Sequence, residues 1–272
     1  MEYQTRPLKT LSIREAADLF NRSFEGYFIP VQFTEDSFKT FAQRDNIDFE
    51  ASQALLAKGK LIGLALIAHR SKASRMGGFG IISKFRGRGA GSWLVERLLD
   101  DARLRGETHM FLEVITQNEA AVRLYKKHGF VRLRRLLGFK AERPTGSVDA
   151  NLQTCDQDLV LEMLRVHGLP DLPWQLDAET LQSITSFGFR LGDVFALISN
   201  PGAEHISLRS LVVPAHVRRQ GQAPRLLNAL FAKFPGRIWQ VPAIFPEEIG
   251  STFMRAGMQP ETLSQWQMVC RL

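Results

Sequence analysis

Cysteine and tyrosine are scarce in this chain of 272 residues, with two and three copies respectively. Cys155 and Cys270 have neither the spacing of a metal-ligand set nor the number for a disulfide framework, so a reducing, cytoplasmic setting is expected. No uninterrupted apolar run approaches the ~18 residues of a membrane-spanning helix. The richest run, Leu61 to Ala68, has the length of a strand. Met1-Glu2-Tyr3-Gln4-Thr5-Arg6 leads into no apolar segment, and no secretory leader is expected. The six histidines (His69, His109, His128, His167, His205, His216) show no metal-ligand spacing, so no metal site is expected. What remains is globular material: 44% hydrophobic residues, 23% charged residues and 19 Phe are enough for a packed core and argue against a disordered chain. The length suits two domains of about 130 residues each.

The basic charge is concentrated. Between Lys84 and Lys140 stand thirteen basic and six acidic residues, an excess of seven that equals the formal net charge of the whole chain, +7. Such a segment suits a polyphosphate ligand, an anionic surface or nucleic acid, or is a solvated basic face. No RNA-binding motif or helix-turn-helix accompanies it, so nucleic acid is not expected, and neither is a membrane.

The first half reads as mixed α/β. Leu11 to Phe24 is a helix by its apolar spacing, with Ser12 as N-cap before Glu15, and a second short helix starts at Thr34. Lys58-Gly59-Lys60 is a turn of hairpin length between Ala54–Ala57 and Leu61–Ala68. Met76 to Ser83 is a strand. Ala90 to Arg105 is a long helix whose apolar stripe is Leu94, Val95, Leu98, Leu99 and Ala102, closed by Gly106. Met110–Ile115, Asn118–His128 and Phe130–Leu137 follow as strand, helix and final strand. Asn118 suits an N-cap. From Lys140 the pattern weakens around Pro144, Thr145 and Gly146, which reads as a linker. Beyond it come a helix at Asp158–His167 and strands at Val194–Ile198 and Ile206–Val213.

Arg86-Gly87-Arg88-Gly89-Ala90-Gly91 lies between a strand and a helix. Its glycines permit a tight turn and close backbone approach to a ligand, and the helix behind them offers free N–H groups and a positive dipole end. It lacks the Gly-Lys-Ser/Thr of a P-loop and the spacing of a dinucleotide fingerprint. Taken with Leu112-Glu113-Val114, Asn118, Ala121, Leu124-Tyr125 and Gly129-Phe130, this Arg-x-x-Gly-x-Gly stretch closely resembles the GNAT superfamily of acyl-CoA N-acyltransferases, from about Met76 to Leu137. The second half resembles a degraded copy: Arg218-Arg219-Gln220-Gly221-Gln222-Ala223 repeats the loop, and Phe253 to Met258 parallels Tyr125 to Phe130. Aligned on Gly129 and Gly257, Glu113 falls on Val241, Asn118 on Pro246 and Tyr125 on Phe253, while Pro224 stands where Ser92 does and removes a backbone donor.

The resemblance implies an α/β (α+β) chain of two tandem GNAT folds, each a mixed, mostly antiparallel sheet with splayed central parallel strands flanked by helices. The division is expected at residues 1–139, an acetyl-CoA-binding transferase, and 140–272, a degenerate copy. It also implies that amides of Gly87, Arg88, Gly89, Ala90, Gly91 and Ser92 hold the pyrophosphate of acetyl-CoA. The pantetheine arm would lie along Ile81, Ile82 and Ser83, with an oxyanion donor at the Ile81 or Ile82 amide, and Asn118 and Tyr125 would also meet the coenzyme. Arg86 and Arg88 either meet phosphates through their side chains or are solvated while their amides bind. Tyr125 is expected to be the general acid and Glu113 the base; packing, and pairing with an arginine, are the respective alternatives. Tyr27, Phe28 and Pro30 would border the acceptor, a primary amine of a small molecule or peptide. The expected assembly is a monomer or homodimer, and the alternative function is a non-catalytic acyl-CoA sensor or scaffold.

Overall fold

The computed structural model describes residues 2–272, which form two compact units: residues up to 133 with 266–272, and residues 134–265. No helix among the described residues is long and apolar enough to cross a membrane.

In the first unit, β1 (Tyr3–Pro7), β2 (Asp48–Ala57), β3 (Lys60–Arg70), β4 (Ala73–Ile81) and β5 (His109–Ile115) follow one another across the sheet. All neighbours are antiparallel except β4 and β5. The β2–β3 turn is the expected one, with Lys58 and Gly59 both at positive φ (49° and 71°), the requirement of a tight two-residue hairpin. α1 (Ile13–Ser23) and α2 (Glu35–Arg44) each begin in a reciprocal capping box, from Ser12 and Thr34. They cover one face of the sheet, burying Phe20 and Phe38 against Leu64 and Leu66. α3 (Ala90–Leu104) and α4 (Glu119–Lys127) cover the other, where the predicted stripe Leu94, Val95, Leu98, Leu99 and Ala102 meets Met110 and Leu112. The polar edge strand β1 carries too little alternation to be read from sequence.

The second unit repeats this plan. Its sheet runs β6 (Val131–Glu142), β11 (Ile238–Pro246), β10 (His205–Val212), β9 (Val194–Ile198), β8 (Phe187–Leu191), β7 (Leu152–Cys155). Only β10 and β11 are parallel. α5 (Gln157–His167) and α6 (Ala178–Gln182) pack on one face. α7 (Gln222–Lys233) and α8 (Gly250–Arg255) occupy the other, with Leu226, Leu230, Phe231 and Phe253 in its core.

The expected boundary at 139/140 differs from the division in the structure. β6 runs unbroken through the anticipated linker start, and its residues Leu136 to Glu142 pair with β11 of the second unit, so that Phe139 and Ala141 enter that core. The last strand, β12 (Gln259–Arg271), ends in the first unit, where Met268 and Cys270 pack with Met110, Val122 and Phe130, and the Leu272 amide bonds Thr108 O at 3.0 Å. The first unit therefore takes its closing strand from the far end of the sequence, whereas the second opens on β6, the strand expected to close the first. Hydrophobic alternation is the same whichever sheet a strand joins, so the sequence pattern alone does not reveal this arrangement.

Candidate active site

The first unit opens where its two parallel strands part. β4 and β5 pair only from Ala73↔His109 to Met76↔Leu112, although β4 continues to Ile81 and β5 to Ile115. Gly77 is the extra residue at this point, since Met76 opposes Ile67 and Gly78 opposes Leu66 on β3. A bulge of this kind bends its strand and increases the local twist, and here it coincides with the start of the V.

At the end of β4 the chain turns through Ser83–Phe85 into the glycine loop. Gly87 (φ 72°) and Gly89 (φ 83°) are left-handed, and a Cβ at either would meet nothing within 4 Å. Gly89 is the N-cap of α3, and the first intrahelical bond runs from Trp93 N to Gly89 O at 3.0 Å. The amides of Ala90, Gly91 and Ser92 thus precede the helical ladder and are free for an anion. Gly91 does something else: a Cβ there would lie 3.3 Å from Leu124 and 3.7 Å from Phe79, so its absence lets α3 sit close to α4 and β4. The Arg88 carbonyl accepts the Tyr3 hydroxyl at 2.7 Å, tying the loop to β1, while the Arg88 side chain is exposed. Ser83 is exposed just beyond β4.

Two of the expected coenzyme contacts need correction. Arg86 does not offer its guanidinium to a phosphate: Nε donates to Ile81 O at 2.7 Å and an Nη to Ser23 O at 2.9 Å, while its amide donates to Ser83 O. It braces the loop between the end of β4 and the end of α1. The Ile82 amide is also committed, donating to Ile62 O at 2.8 Å. Because successive amides of a strand point to opposite edges, Ile81 N–H is left as the donor on the open side.

Tyr125, on α4, is 6% exposed. Its ring meets Phe79 of β4 edge-on, centroids 6.0 Å apart, and Phe130 at 5.7 Å. Burial, and secondarily the Tyr27 phenol, push its hydroxyl well above the ordinary tyrosine range, so it remains protonated. Asn118 caps α4 as expected, accepting from Ala121 N at 3.2 Å, and also hydrogen-bonds Tyr27. Burial raises the Tyr27 phenol, the Asn118 bond acting the other way. The α1–α2 loop is thus fastened to the start of α4 beside Tyr125. Tyr27 and Pro30 line an open groove of about 560 Å³, whereas Phe28 faces solvent at 52% exposure.

Glu113, expected as base, occupies the position just past the last β4–β5 pair. Its side chain is 4% exposed, and Oε2 accepts from Arg75 Nε at 2.8 Å. Arg75 bonds Asp45 Oδ2 at 3.3 Å, and Asp45 Oδ1 accepts from Arg44 at 2.6 Å. Burial opposes the charge of Arg75, but Glu113 and then Asp45 outweigh it and raise its pKa. The geometry thus shows the arginine pairing that was the alternative expectation for Glu113, at the apex of the V.

The second unit keeps the frame and loses the polar groups. β10 and β11 pair only from His205↔Ile238 to Ser207↔Gln240 before parting. Gly221 (φ 74°) caps α7, and Arg218 donates to Val213 O at 2.9 Å and His167 O at 3.2 Å, the same two places that Arg86 reaches. A cavity of about 380 Å³ remains there, lined by Leu164, Ser210, Val213, Gly221, Ala223 and Phe245 among others. At the place of Tyr125, however, Phe253 is fully buried against Phe139 and Phe245. The retention of Arg218 in a copy without Tyr125 or Asn118 was the sequence signal that this arginine serves the loop rather than a ligand.

The first unit thus combines a cradle of first-turn amides with a V between splayed parallel strands. Residues 13–130, most of the first unit, match the acetyltransferase (GNAT) family. A 91-residue stretch, 33% of the chain, is 31% identical to streptothricin acetyltransferase of Streptomyces lavendulae, and the match spans about half the length, 48%, of that protein. Nearly the whole chain has the fold of solved tandem or GCN5-related structures. It matches a GCN5-related N-acetyltransferase from Sphaerobacter thermophilus at a TM-score of 0.71 and 16% identity, covering 99% of this chain and 95% of that one. It matches a tandem GNAT protein from the clavulanic acid biosynthesis pathway at 0.64 and 12%, covering 99% and 98%. The chain is accordingly two tandem GNAT folds.

Proposed function

We propose that the first unit is an N-acetyltransferase that moves an acetyl group from acetyl-CoA to a primary amine of a small molecule or peptide, and that the second unit is non-catalytic. The observation that carries this reading is the cradle itself: three first-turn amides and two left-handed glycines facing open space, at the mouth of the V and next to a buried, protonated tyrosine. The diphosphate of the coenzyme fits that set, and the thioester supplies an activated acyl carbon. Ile81 N–H is the oxyanion donor in this proposal. The amine nitrogen bonds to the carbonyl carbon, the C–S bond breaks, nitrogen loses one proton and sulfur gains one. Tyr125 O–H stands as donor toward the sulfur, and the proton from nitrogen leaves through water at the open groove by the α1–α2 loop, since Glu113 is engaged by Arg75. A relative named streptothricin acetyltransferase supports an acetyl donor.

The test is acetyl transfer to a panel of amines, followed by release of free thiol. Binding of acetyl-CoA without turnover of any amine would instead favour a sensor. Gly89→Val places a β-branched residue at φ 83° and a side chain in the anion's space. It should weaken acetyl-CoA binding by about tenfold or more, read by calorimetry, and unchanged affinity would reject the cradle. Because Pro224 and Phe253 replace Ser92 and Tyr125, a coenzyme-bound crystal should show the first cleft occupied and the second empty. Equal occupancy would overturn the degenerate reading of the second unit.

A further inference from the structure

His128 ends α4 and has no part in the roles above. Its side chain is 6% exposed, and Nε2 lies 2.7 Å from Ser92 Oγ. Lys127 Nζ donates to the same oxygen at 3.2 Å. Ser92 is the third residue of α3 and one of the cradle amides. A single hydroxyl therefore joins the anion cradle to a titratable ring and a fixed cation. The other charged group facing the ring is Glu96 of α3, with Oε1 3.8 Å from Nδ1; the Cys270 thiol of β12, whose pKa burial raises, contacts the backbone carbonyl of His128 at 3.6 Å. Burial holds the imidazole below its usual value, Glu96 opposing this and Lys127 reinforcing it.

Protonation fixes the direction of this bond. In the neutral tautomer with its proton on Nδ1, the nitrogen that faces Glu96, Nε2 accepts the Ser92 O–H, whose proton is then directed into the ring and not toward the cradle. A protonated ring donates to Oγ instead. With Lys127 donating as well, both lone pairs of Oγ are used and its O–H is free to turn to an anion. We propose that His128 is a positioning residue for the coenzyme's diphosphate: the ring takes up a proton as the anion binds, and this reverses its bond to Ser92 and turns the Ser92 hydroxyl onto the diphosphate. One proton passes to Nε2 from hydronium or the buffer acid, whose own bond to hydrogen breaks as the ring N–H forms, and the added positive charge sits beside the bound anion. Affinity is then higher at low pH and declines as pH rises through the pKa of the bound-state ring. The second unit is an internal contrast. Pro224 and Ala256 stand where Ser92 and His128 do, so hydroxyl and ring are lost together, along with the counterparts of Asn118 and Tyr125.

This inference rests on the coenzyme reading of the cradle. Its test is calorimetric titration of the full chain with dephospho-coenzyme A between pH 6 and pH 8, in buffers of different ionisation enthalpy. That ligand keeps the diphosphate but lacks the phosphomonoester, whose own second pKa near 6 would obscure the effect. Wild type should bind at least about threefold more tightly at pH 6 than at pH 8, with net proton uptake. In His128→Gln and in Ser92→Ala the uptake should vanish and the affinity become nearly independent of pH. If His128→Gln retains the wild-type uptake, or if wild type binds with none, the inference fails while the coenzyme reading stands. If wild type binds at neither pH, both fail.

Discussion

Tyr125→Phe should lower turnover by about a hundredfold while changing acetyl-CoA affinity little, because a positioned acid or hydrogen-bond donor contributes roughly 10²–10⁴ to such a step. The change removes one oxygen from a 6%-exposed side chain and leaves its contacts with Phe79 and Phe130 available. The protein itself shows that the site tolerates the replacement: Phe253 occupies the matching place in the second unit and is fully buried there against Phe139 and Phe245. A loss of rate would therefore report the hydroxyl and not the fold. Initial rates on any accepted amine, with melting temperature and coenzyme affinity measured alongside, give the answer. Undiminished turnover would remove Tyr125 from the mechanism.

The same comparison between halves explains what could be read from the sequence. The glycine loop, the α3 stripe, the Lys58-Gly59 turn, the caps Ser12 and Asn118 and the helix start at Thr34 are local. Each depends on residues within a few positions, where backbone preference and periodicity act directly. The polar partners of the site are not local. Arg75 meets Glu113 across 38 positions, Arg86 meets Ser23 across 63, and His128 meets Ser92 across 36. Such pairs exist only once strand register and helix docking are fixed, so a carboxylate at a family position can be read as a base when the fold has given it a guanidinium. The placement of β6 and β12 was hidden for a related reason: both carry the same alternation wherever they pair.

The chain Arg44–Asp45–Arg75–Glu113 leads to the other large effect. Arg75→Ala would leave two carboxylates, each nearly buried, without the cation between them, and breaking a buried pair in this way typically costs about 3–5 kcal/mol. Urea unfolding should show a loss of that size at neutral pH. Replacing the three buried members by uncharged residues of similar shape (Arg75→Met with Asp45→Asn and Glu113→Gln) should recover part of the loss, since the one charge left without its partner, Arg44, is half exposed to solvent. A loss under about 1 kcal/mol would mean that water reaches the site and that the pairing is incidental. Glu113→Gln alone separates anchor from base. An anchor loses stability when its charge is removed, yet turnover per folded molecule changes little and the pH–rate profile keeps its shape. A base keeps its stability and loses its rate, together with the limb of the profile that reports its deprotonation. Because Glu113 stands at the first position past the paired part of β4 and β5, anchoring it to Arg75 also fixes where the two strands begin to part. Weakening that anchor should loosen the V before it affects any chemistry done within it.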